Sequence, residues 1–229
     1  MPLRVLANAL LPRDCLVCGV PSEADHALCD ACASEMPRAV RQICPVCALP
    51  SLNGAICGRC QRQAPAFDAT YAVLEYVFPV DRLVQALKYQ HRLAVSSYFS
   101  ALLLPLGEHL AVDMIVPMPL HVDRLRWRGF NQAVEIARPL SRHWGVPLYL
   151  DAASRRLDGP AQVSLPWSER HANVKQAFVC DMDLTGRRVL VVDDVMTTGA
   201  SLHALARTLK SAGASRVENL VVARTPPPF

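Results

Sequence analysis

The stretch VLVVDDVMTTGASL, residues 189–202, joins an aliphatic run to a helical pattern and decides the fold of this chain. Its first four residues are all aliphatic, which is typical of a strand buried on both faces. Gly199 predicts a tight turn, after which leucines and alanines recur at helical spacing. Gly213 ends that helix, and residues 217–223 form a second aliphatic run. The stretch therefore predicts a strand–helix–strand crossover in a parallel α/β sheet.

The loop inside this stretch has the chemistry of a phosphate site. A strand, a short loop and a helix N-terminus direct several backbone N–H groups at one point. The hydroxyls of Thr197, Thr198 and Ser201 add donors, and Thr198 or Ser201 can cap the helix. Asp193 and Asp194 would repel a phosphate alone, but they suit a ligand that also carries a diol or Mg²⁺. Ribose 5-phosphate chemistry fits this combination, whereas no GxxxxGK[ST] loop is present in the sequence.

An aliphatic strand followed by DDVMTTGAS resembles the signature of the type I phosphoribosyltransferases. The resemblance implies that the acidic pair holds the ribose hydroxyls of phosphoribosyl pyrophosphate (PRPP) and that the loop holds its 5′-phosphate. The implied PRPP-binding residues are Asp193, Asp194, Val195, Met196, Thr197, Thr198, Gly199, Ala200 and Ser201. A purely structural crossover with an acidic loop and a flavodoxin-like acidic pocket are the alternatives.

The composition is that of an ordinary globular protein. The chain has 229 residues, of which 52% are hydrophobic and 19% are charged, enough for one large core and a small additional module. A net charge of +4 permits anionic partners without requiring them. No run approaches the roughly 20 apolar residues of a membrane span, and the N-terminus lacks a signal-peptide cleavage site. We therefore expect a cytoplasmic protein.

Eight of the nine cysteines form four C-x-x-C pairs near the N-terminus, while Cys180 stands alone. The paired cysteines are Cys15, Cys18, Cys29, Cys32, Cys44, Cys47, Cys57 and Cys60. Two such pairs complete a four-sulfur zinc site, so the spacing predicts two structural zinc ions, most simply from the first four and the last four cysteines. Iron–sulfur ligation and thioredoxin-type redox pairs are the alternatives.

The cysteine spacing and the later patterns divide the chain into two predicted domains. Residues 1–64 form a double zinc ribbon, and residues 65–229 form the α/β domain. Within the second domain, we expect one strand or half of a hairpin in 67–78, a helix capped by Asp81 and ending at Lys88-Tyr89, and a helix over 95–110. Further strands are expected at 113–117, at 148–150 and near Phe178.

Three arginines, Arg124, Arg126 and Arg128, precede Gly129, and Asn131 then begins a helix. Their alternate spacing predicts that none of the three lies in the core. A solvated basic loop is the simplest interpretation. Their position after a buried strand, at the carboxyl edge where α/β sheets bind ligands, also suits the recognition of pyrophosphate by the arginine fork.

Residues 154–178 are polar and contain glycine and proline, which indicates a long irregular excursion. A lid would suit glycosyl transfer from PRPP, because water must be excluded from the cation-like ribose. Surface solubility is the alternative role for arginines such as Arg155 and Arg170.

Across most of its length the chain resembles the ComF family. The resemblance rests on the double zinc ribbon and on the motifs LKY, VPxPLHxxRxxxRGFNQ, RxxDxPxQxxLxxxxRxxNxxxAF and VDDVxTTGAS. It departs from the family at Gly159, where threonine is common, and at Gln90-His91, where a glycine is common after LKY. The implied fold is a type I phosphoribosyltransferase-like parallel sheet flanked by helices, with a small N-terminal double zinc ribbon.

The resemblance also implies a role in DNA uptake and a PRPP site with Mg²⁺. The expected catalytic residues are Asp193, Asp194, Arg124 and Arg128, and the lid and pyrophosphate candidates are Lys88, Tyr89, Arg155, Gln162 and Arg170. The partners would be single-stranded DNA or a competence motor protein. One hypothesis is phosphoribosyl transfer to an acceptor; the other is a PRPP- or nucleotide-sensing module without turnover. The few aromatic residues and the low net charge weigh against strong DNA binding.

Overall fold

The computed structural model describes residues 13–22, 27–40, 42–155 and 177–227. Most of the predicted lid, including Gln162 and Arg170, lies outside the described residues. The described strands are β1 (Arg13–Asp14), β2 (Pro21–Ser22), β3 (Ala69–Glu75), β4 (Met114–Pro117), β5 (Ser154–Arg155), β6 (Phe178–Val179), β7 (Arg188–Met196) and β8 (Arg216–Arg224). The α-helices are α1 (Asp30–Ser34), α2 (Gly58–Arg62), α3 (Val80–Gln90), α4 (Ala94–Leu103), α5 (Val122–Arg128), α6 (Gln132–Trp144) and α7 (Ala200–Ser211).

The central sheet has four parallel strands in the order β3–β8–β7–β4. The predicted crossover is confirmed: β7, α7 and β8 follow one another, and Val191 pairs with Asn219 at the centre of the sheet. Because all four strands run the same way, their carboxyl ends share one edge, where open α/β sheets place their ligands.

Side chains of β7 alternate between two cores, as a strand covered on both faces requires. Val189 and Val191 pack on the face covered by α7, whereas Leu190 and Val192 pack on the face covered by α3, α4 and α6. The aliphatic run is therefore fully buried, and the alternation sets the direction of the two aspartates that follow it.

The two cysteine clusters pack on opposite faces of the sheet. Cys15 belongs to the core beneath α3 and α4, whereas Cys44, Cys47 and Cys60 belong to the core beneath α7. Between the clusters, residues 37–39 run antiparallel to β3 and cover its outer edge, with a bridge between Arg38 and Leu74. The N-terminal segment is thus joined to the sheet along β3.

Three predicted element boundaries were wrong. The helix expected over 95–110 ends at Leu103 and continues as a 3-10 helix over Leu104–His109, because Pro105 lacks the N–H that an α-helix would use. Asp81 lies in the first turn of α3 and is not its cap. The strand expected at 148–150 is reduced to one bridge between Leu148 and Ile115.

None of the helices in the described residues combines the length and the apolarity that crossing a membrane would require.

Candidate functional site

Asp193 and Asp194 lie near the carboxyl end of β7, just beyond its last pairing with β4, and both are buried. Their relative exposures are only 8% and 2%. Asp193 Oδ1 accepts a hydrogen bond from the N–H of Asp194 at 2.9 Å. By the alternation of the strand, Asp194 faces the side of the sheet that carries α3.

Lys88, at the end of α3, meets Asp194 on that side. Its Nζ lies 2.5 Å from Asp194 Oδ2. Burial alone would lower the pKa of Lys88, but the negative charges of Asp194 and Asp193 outweigh it and raise that pKa. Burial, reinforced by the charge of Asp194, raises the pKa of Asp193 well above its ordinary value. The structure therefore brings together three of the predicted site residues.

The loop from Thr197 to Gly199 connects this acidic pair to α7. Gly199 is the N-cap residue, with a φ of +83°, and a Cβ there would lie 2.6 Å from Cε of Met196. The capping by Thr198 or Ser201 that we expected is therefore wrong in part: glycine occupies the cap position. Thr198 Oγ1 still accepts a hydrogen bond from the N–H of Ala200 at 3.3 Å. The loop thus presents a helix N-terminus directly after two carboxylates.

The arginine-rich segment is a helix, so the simplest interpretation, a solvated basic loop, was wrong about its backbone. Arg124 and Arg126 are exposed on α5, but Arg128 is only 6% exposed, so the prediction that none of the three is buried was wrong. Its Nη1 donates to Gln132 Oε1, and its guanidinium lies 5.6 Å from the centre of the Tyr89 ring. Arg128 is buried because α5 packs against the end of α3. The alternate spacing of arginines within one segment cannot reveal a contact between two helices.

The end of α3 explains one departure from the family pattern. His91 has a φ of +57°, the left-handed conformation that glycine adopts most easily, at the position where a glycine is common. Its Nε2 lies 3.0 Å from the backbone oxygen of Arg128, and its ring packs edge-on against Phe130. The histidine therefore links α3 to α5 on the Lys88 side of the site.

The remaining candidates, Tyr89 and Arg155, contact aromatic side chains and not the acidic pair. Tyr89 is exposed and contacts Trp127, whose ring centre lies 6.0 Å away. Arg155 lies over the ring of Phe178 at 5.6 Å, in the short β5–β6 pair. Three residues near the site were not predicted from the sequence: Trp127, Arg59 and Arg224. The two arginines contact the loop only through its backbone oxygens, and such contacts leave no sequence motif.

The eight N-terminal cysteines form two groups of four. In each group the sulfur atoms all lie within 4.8 Å of one another, and the groups are the predicted ones: Cys15, Cys18, Cys29 and Cys32, then Cys44, Cys47, Cys57 and Cys60. A tetrahedral site with Zn–S bonds of about 2.3 Å has sulfurs about 3.8 Å apart. Cys18 and Cys29 are 3.8 Å apart and Cys47 and Cys57 are 3.6 Å apart, so both groups fit zinc.

In each group, one cysteine has a lowered pKa, which favours the thiolate form that binds zinc. Burial raises the pKa of Cys15, but backbone N–H groups, including that of Cys18, outweigh it and lower the pKa to about 6. The same balance lowers the pKa of Cys44 to about 7, and the N–H of Cys57 lies 3.3 Å from its sulfur. Such N–H···S contacts orient and stabilise metal-bound thiolates.

Comparison with known proteins supports both parts of the chain. Residues 6–61 match the double zinc ribbon domain family, and residues 129–227 match the phosphoribosyl transferase domain family. The chain is 32% identical over 224 residues to the DNA utilization protein YhgH of Escherichia coli, covering 94% of this chain and 98% of that protein. It is 30% identical over 183 residues to Competence protein F of Haemophilus influenzae, covering 73% and 78%.

Among solved structures, the chain is similar to glutamine PRPP amidotransferase from B. subtilis, at 19% identity and a TM-score of 0.41 over 56% of this chain and 26% of that one. It is also similar to adenine phosphoribosyltransferase from Thermoanaerobacter pseudethanolicus, at 17% identity and a TM-score of 0.38 over 59% and 83%. A further relative, Competence protein ComFC of Bacillus subtilis, is 26% identical over 88% of this chain and 85% of that protein. With a double zinc ribbon, a phosphoribosyltransferase domain and relatives along almost its whole length, the chain belongs to the ComF family.

Proposed function

We propose that the chain binds PRPP with Mg²⁺ at residues 193–201 and transfers its phosphoribosyl group to an acceptor in the cytoplasmic handling of DNA. One observation carries the proposal. At the carboxyl edge of the sheet, the acidic pair lies next to Lys88 and just before the N-terminus of α7. The names of the relatives, DNA utilization protein and competence protein, support the link to DNA.

The acidic pair would hold the ribose end of the ligand. Among the described residues, Lys88 forms its ion pair with Asp194 alone, so the carboxyl group of Asp193 stays available to a ligand, and carboxylate oxygens are ligands that Mg²⁺ accepts while keeping several of its waters. Asp193 and Asp194 therefore fit the ion, which would neutralise charge on the departing pyrophosphate. The loop amides and the hydroxyls of Thr197 and Thr198 would hold the 5′-phosphate.

Arg128 is the best-placed residue for the pyrophosphate. It is buried beside Tyr89, its charge acts on Lys88, and its Nε has no hydrogen-bond partner among the described residues. A buried guanidinium with an unused donor suits an anionic leaving group. In the transfer, the bond between ribose C1 and the pyrophosphate oxygen breaks with its electron pair on pyrophosphate, and the acceptor nucleophile bonds to C1.

Calorimetry with PRPP and Mg²⁺ tests the binding site. The double variant Asp193→Asn/Asp194→Asn should bind at least about tenfold more weakly than the wild type, because charge-assisted contacts are lost. The matched control, Asp151→Asn/Asp181→Asn, removes two exposed carboxylates and should bind like the wild type. Equal binding by all three proteins would refute the site.

Turnover is tested separately by following pyrophosphate release from PRPP with bases, amines and single-stranded DNA as acceptors. Release that requires an acceptor and disappears in Asp193→Asn/Asp194→Asn supports the transferase. Binding of PRPP without release under any acceptor would instead support a sensing module.

A further inference from the structure

The side chain of Arg224 joins the second cysteine group to the loop that precedes α7. This residue ends β8 and is 4% exposed. Its Nε donates to the backbone oxygen of Cys47 at 2.9 Å. Its Nη1 donates to the backbone oxygen of Met196 at 2.8 Å and also to that of Thr197. One buried guanidinium therefore spans from a cysteine turn to two consecutive peptides of the loop.

The second cysteine group supplies the charge that this buried cation needs. The guanidinium lies against the turn of this group, where its Nε donates to the backbone oxygen of the zinc-ligand candidate Cys47. Four thiolates around one Zn²⁺ carry a net negative charge. A buried cation is costly unless it is paired, so the zinc–thiolate cluster serves as its counter-ion.

A second arginine makes the same connection from the surface. Arg59 lies between Cys57 and Cys60, and its Nη2 donates to the backbone oxygen of Thr198 at 3.3 Å. Together with Arg224, it engages the oxygens of three consecutive residues, Met196, Thr197 and Thr198.

These contacts fix the direction of the loop amides. In a trans peptide the carbonyl oxygen and the following N–H point to opposite sides. The only cis peptide among the described residues is Phe78–Pro79, so the loop peptides are trans. The two arginines, together with the N–H of Thr225 at Met196, hold the three oxygens, so the N–H groups of Thr197, Thr198 and Gly199 turn away from these donors, where an anion can meet them.

We propose that the second zinc site sets the phosphate-binding conformation of this loop through Arg224 and Arg59, which act as positioning residues. The first zinc site has no such role, because it packs on the opposite face of the sheet. The inference rests on the proposed function and deepens it: zinc occupancy at the second site controls affinity for a ribose 5-phosphate group.

The test uses the full chain, ribose 5-phosphate with Mg²⁺ as the probe, and two matched pairs of variants. Arg59→Gln removes the exposed contact, whereas Arg62→Gln changes an exposed arginine of the same short helix. Cys57→Ser breaks the second zinc site, and Cys18→Ser breaks the first. Zinc content is measured for each protein, with two ions expected for both arginine variants and one for both cysteine variants.

Arg59→Gln should bind ribose 5-phosphate about fivefold more weakly and Cys57→Ser at least about tenfold more weakly than the wild type. Arg62→Gln and Cys18→Ser should stay within about twofold of the wild type, because they lie away from the loop. Arg224→Lys should also weaken binding; if it does not fold, Arg59→Gln and Cys57→Ser still decide. Equal affinity in the Arg59→Gln/Arg62→Gln pair and in the cysteine pair would overturn the inference.

Amide hydrogen exchange separates this inference from the proposed function. The N–H of Thr225 donates to Met196 at 3.0 Å, and the N–H of His203 donates to Gly199 at 2.8 Å, so both report on the loop without any ligand. They should exchange faster in Cys57→Ser and Arg59→Gln than in Cys18→Ser and Arg62→Gln. If the wild type binds no ribose 5-phosphate but this exchange pattern holds, the proposed function is wrong while the coupling between the second zinc site and the loop is supported. Equal exchange rates in all four variants would overturn the coupling.

Discussion

At the scale of single residues, the ion pair between Asp194 and Lys88 stabilises the site without a ligand. Asp194 is almost fully buried, and its negative charge is compensated by Lys88 from another part of the chain. Asp193 lies beside it without an ion-pair partner among the described residues, and burial favours its neutral form. The lysine therefore makes two adjacent buried acids compatible with a folded protein.

Replacing Lys88 should cost stability, because it leaves Asp194 buried without a cation. We expect Lys88→Met to lower the free energy of unfolding by about 3 kcal/mol, the order of magnitude for breaking a buried pair. The double variant Lys88→Met/Asp194→Asn should recover most of that loss, since no charge is then left unpaired. Urea unfolding of the zinc-loaded proteins measures both values, and a double variant no more stable than Lys88→Met would contradict the ion-pair explanation.

At the scale of elements, the parts that could be predicted are those with a local cause. The crossover β7–α7–β8 follows from an aliphatic run, one glycine and a helical period, and each of these lies within the segment itself. The cysteine groups follow from spacing for the same reason. The burial of Arg128 could not be predicted, because it depends on the packing of α5 against α3.

Gly199 tests how closely the loop is packed before α7. Alanine there must adopt a positive φ, at a cost of about 1–2 kcal/mol, and its Cβ would lie 2.6 Å from Met196 Cε. Gly145, with a φ of +68°, has no atom within 4 Å of an added Cβ and serves as the control. Thermal unfolding should show Gly199→Ala less stable than Gly145→Ala by at least about 1 kcal/mol, from the crowding alone. Equal losses would mean that Met196 moves aside freely.

At the scale of the whole molecule, the N-terminal segment completes the sheet as well as carrying the cysteines. The N–H of Ala39 donates to Val73 at 3.0 Å, and the N–H of Glu75 donates to Pro37 at 2.8 Å. The N–H of Thr70 donates to Pro45 at 3.0 Å. These contacts satisfy the outer edge of β3. Backbone hydrogen bonds therefore cross the predicted domain boundary at residue 64 and join the N-terminal segment to the sheet. The cysteine spacing reveals the metal sites, but backbone pairing between distant segments leaves no trace in side-chain patterns.

Removing residues 1–64 should therefore make the remaining domain associate through β3. An uncovered edge strand presents unpaired N–H and C=O groups that template pairing with another chain. We expect the fragment 65–229 to form oligomers or aggregates under conditions in which the zinc-loaded full chain stays at a fixed small size in light scattering. Chelation of zinc from the full chain should produce the same behaviour, because metal binding supplies much of the folding free energy of such ribbons and so keeps residues 37–39 in place. Restoring zinc should reverse the early stage of that association. A fragment that remains monomeric at high concentration would show that β3 needs no cover, and would favour the boundary at residue 64 as a division between independent domains.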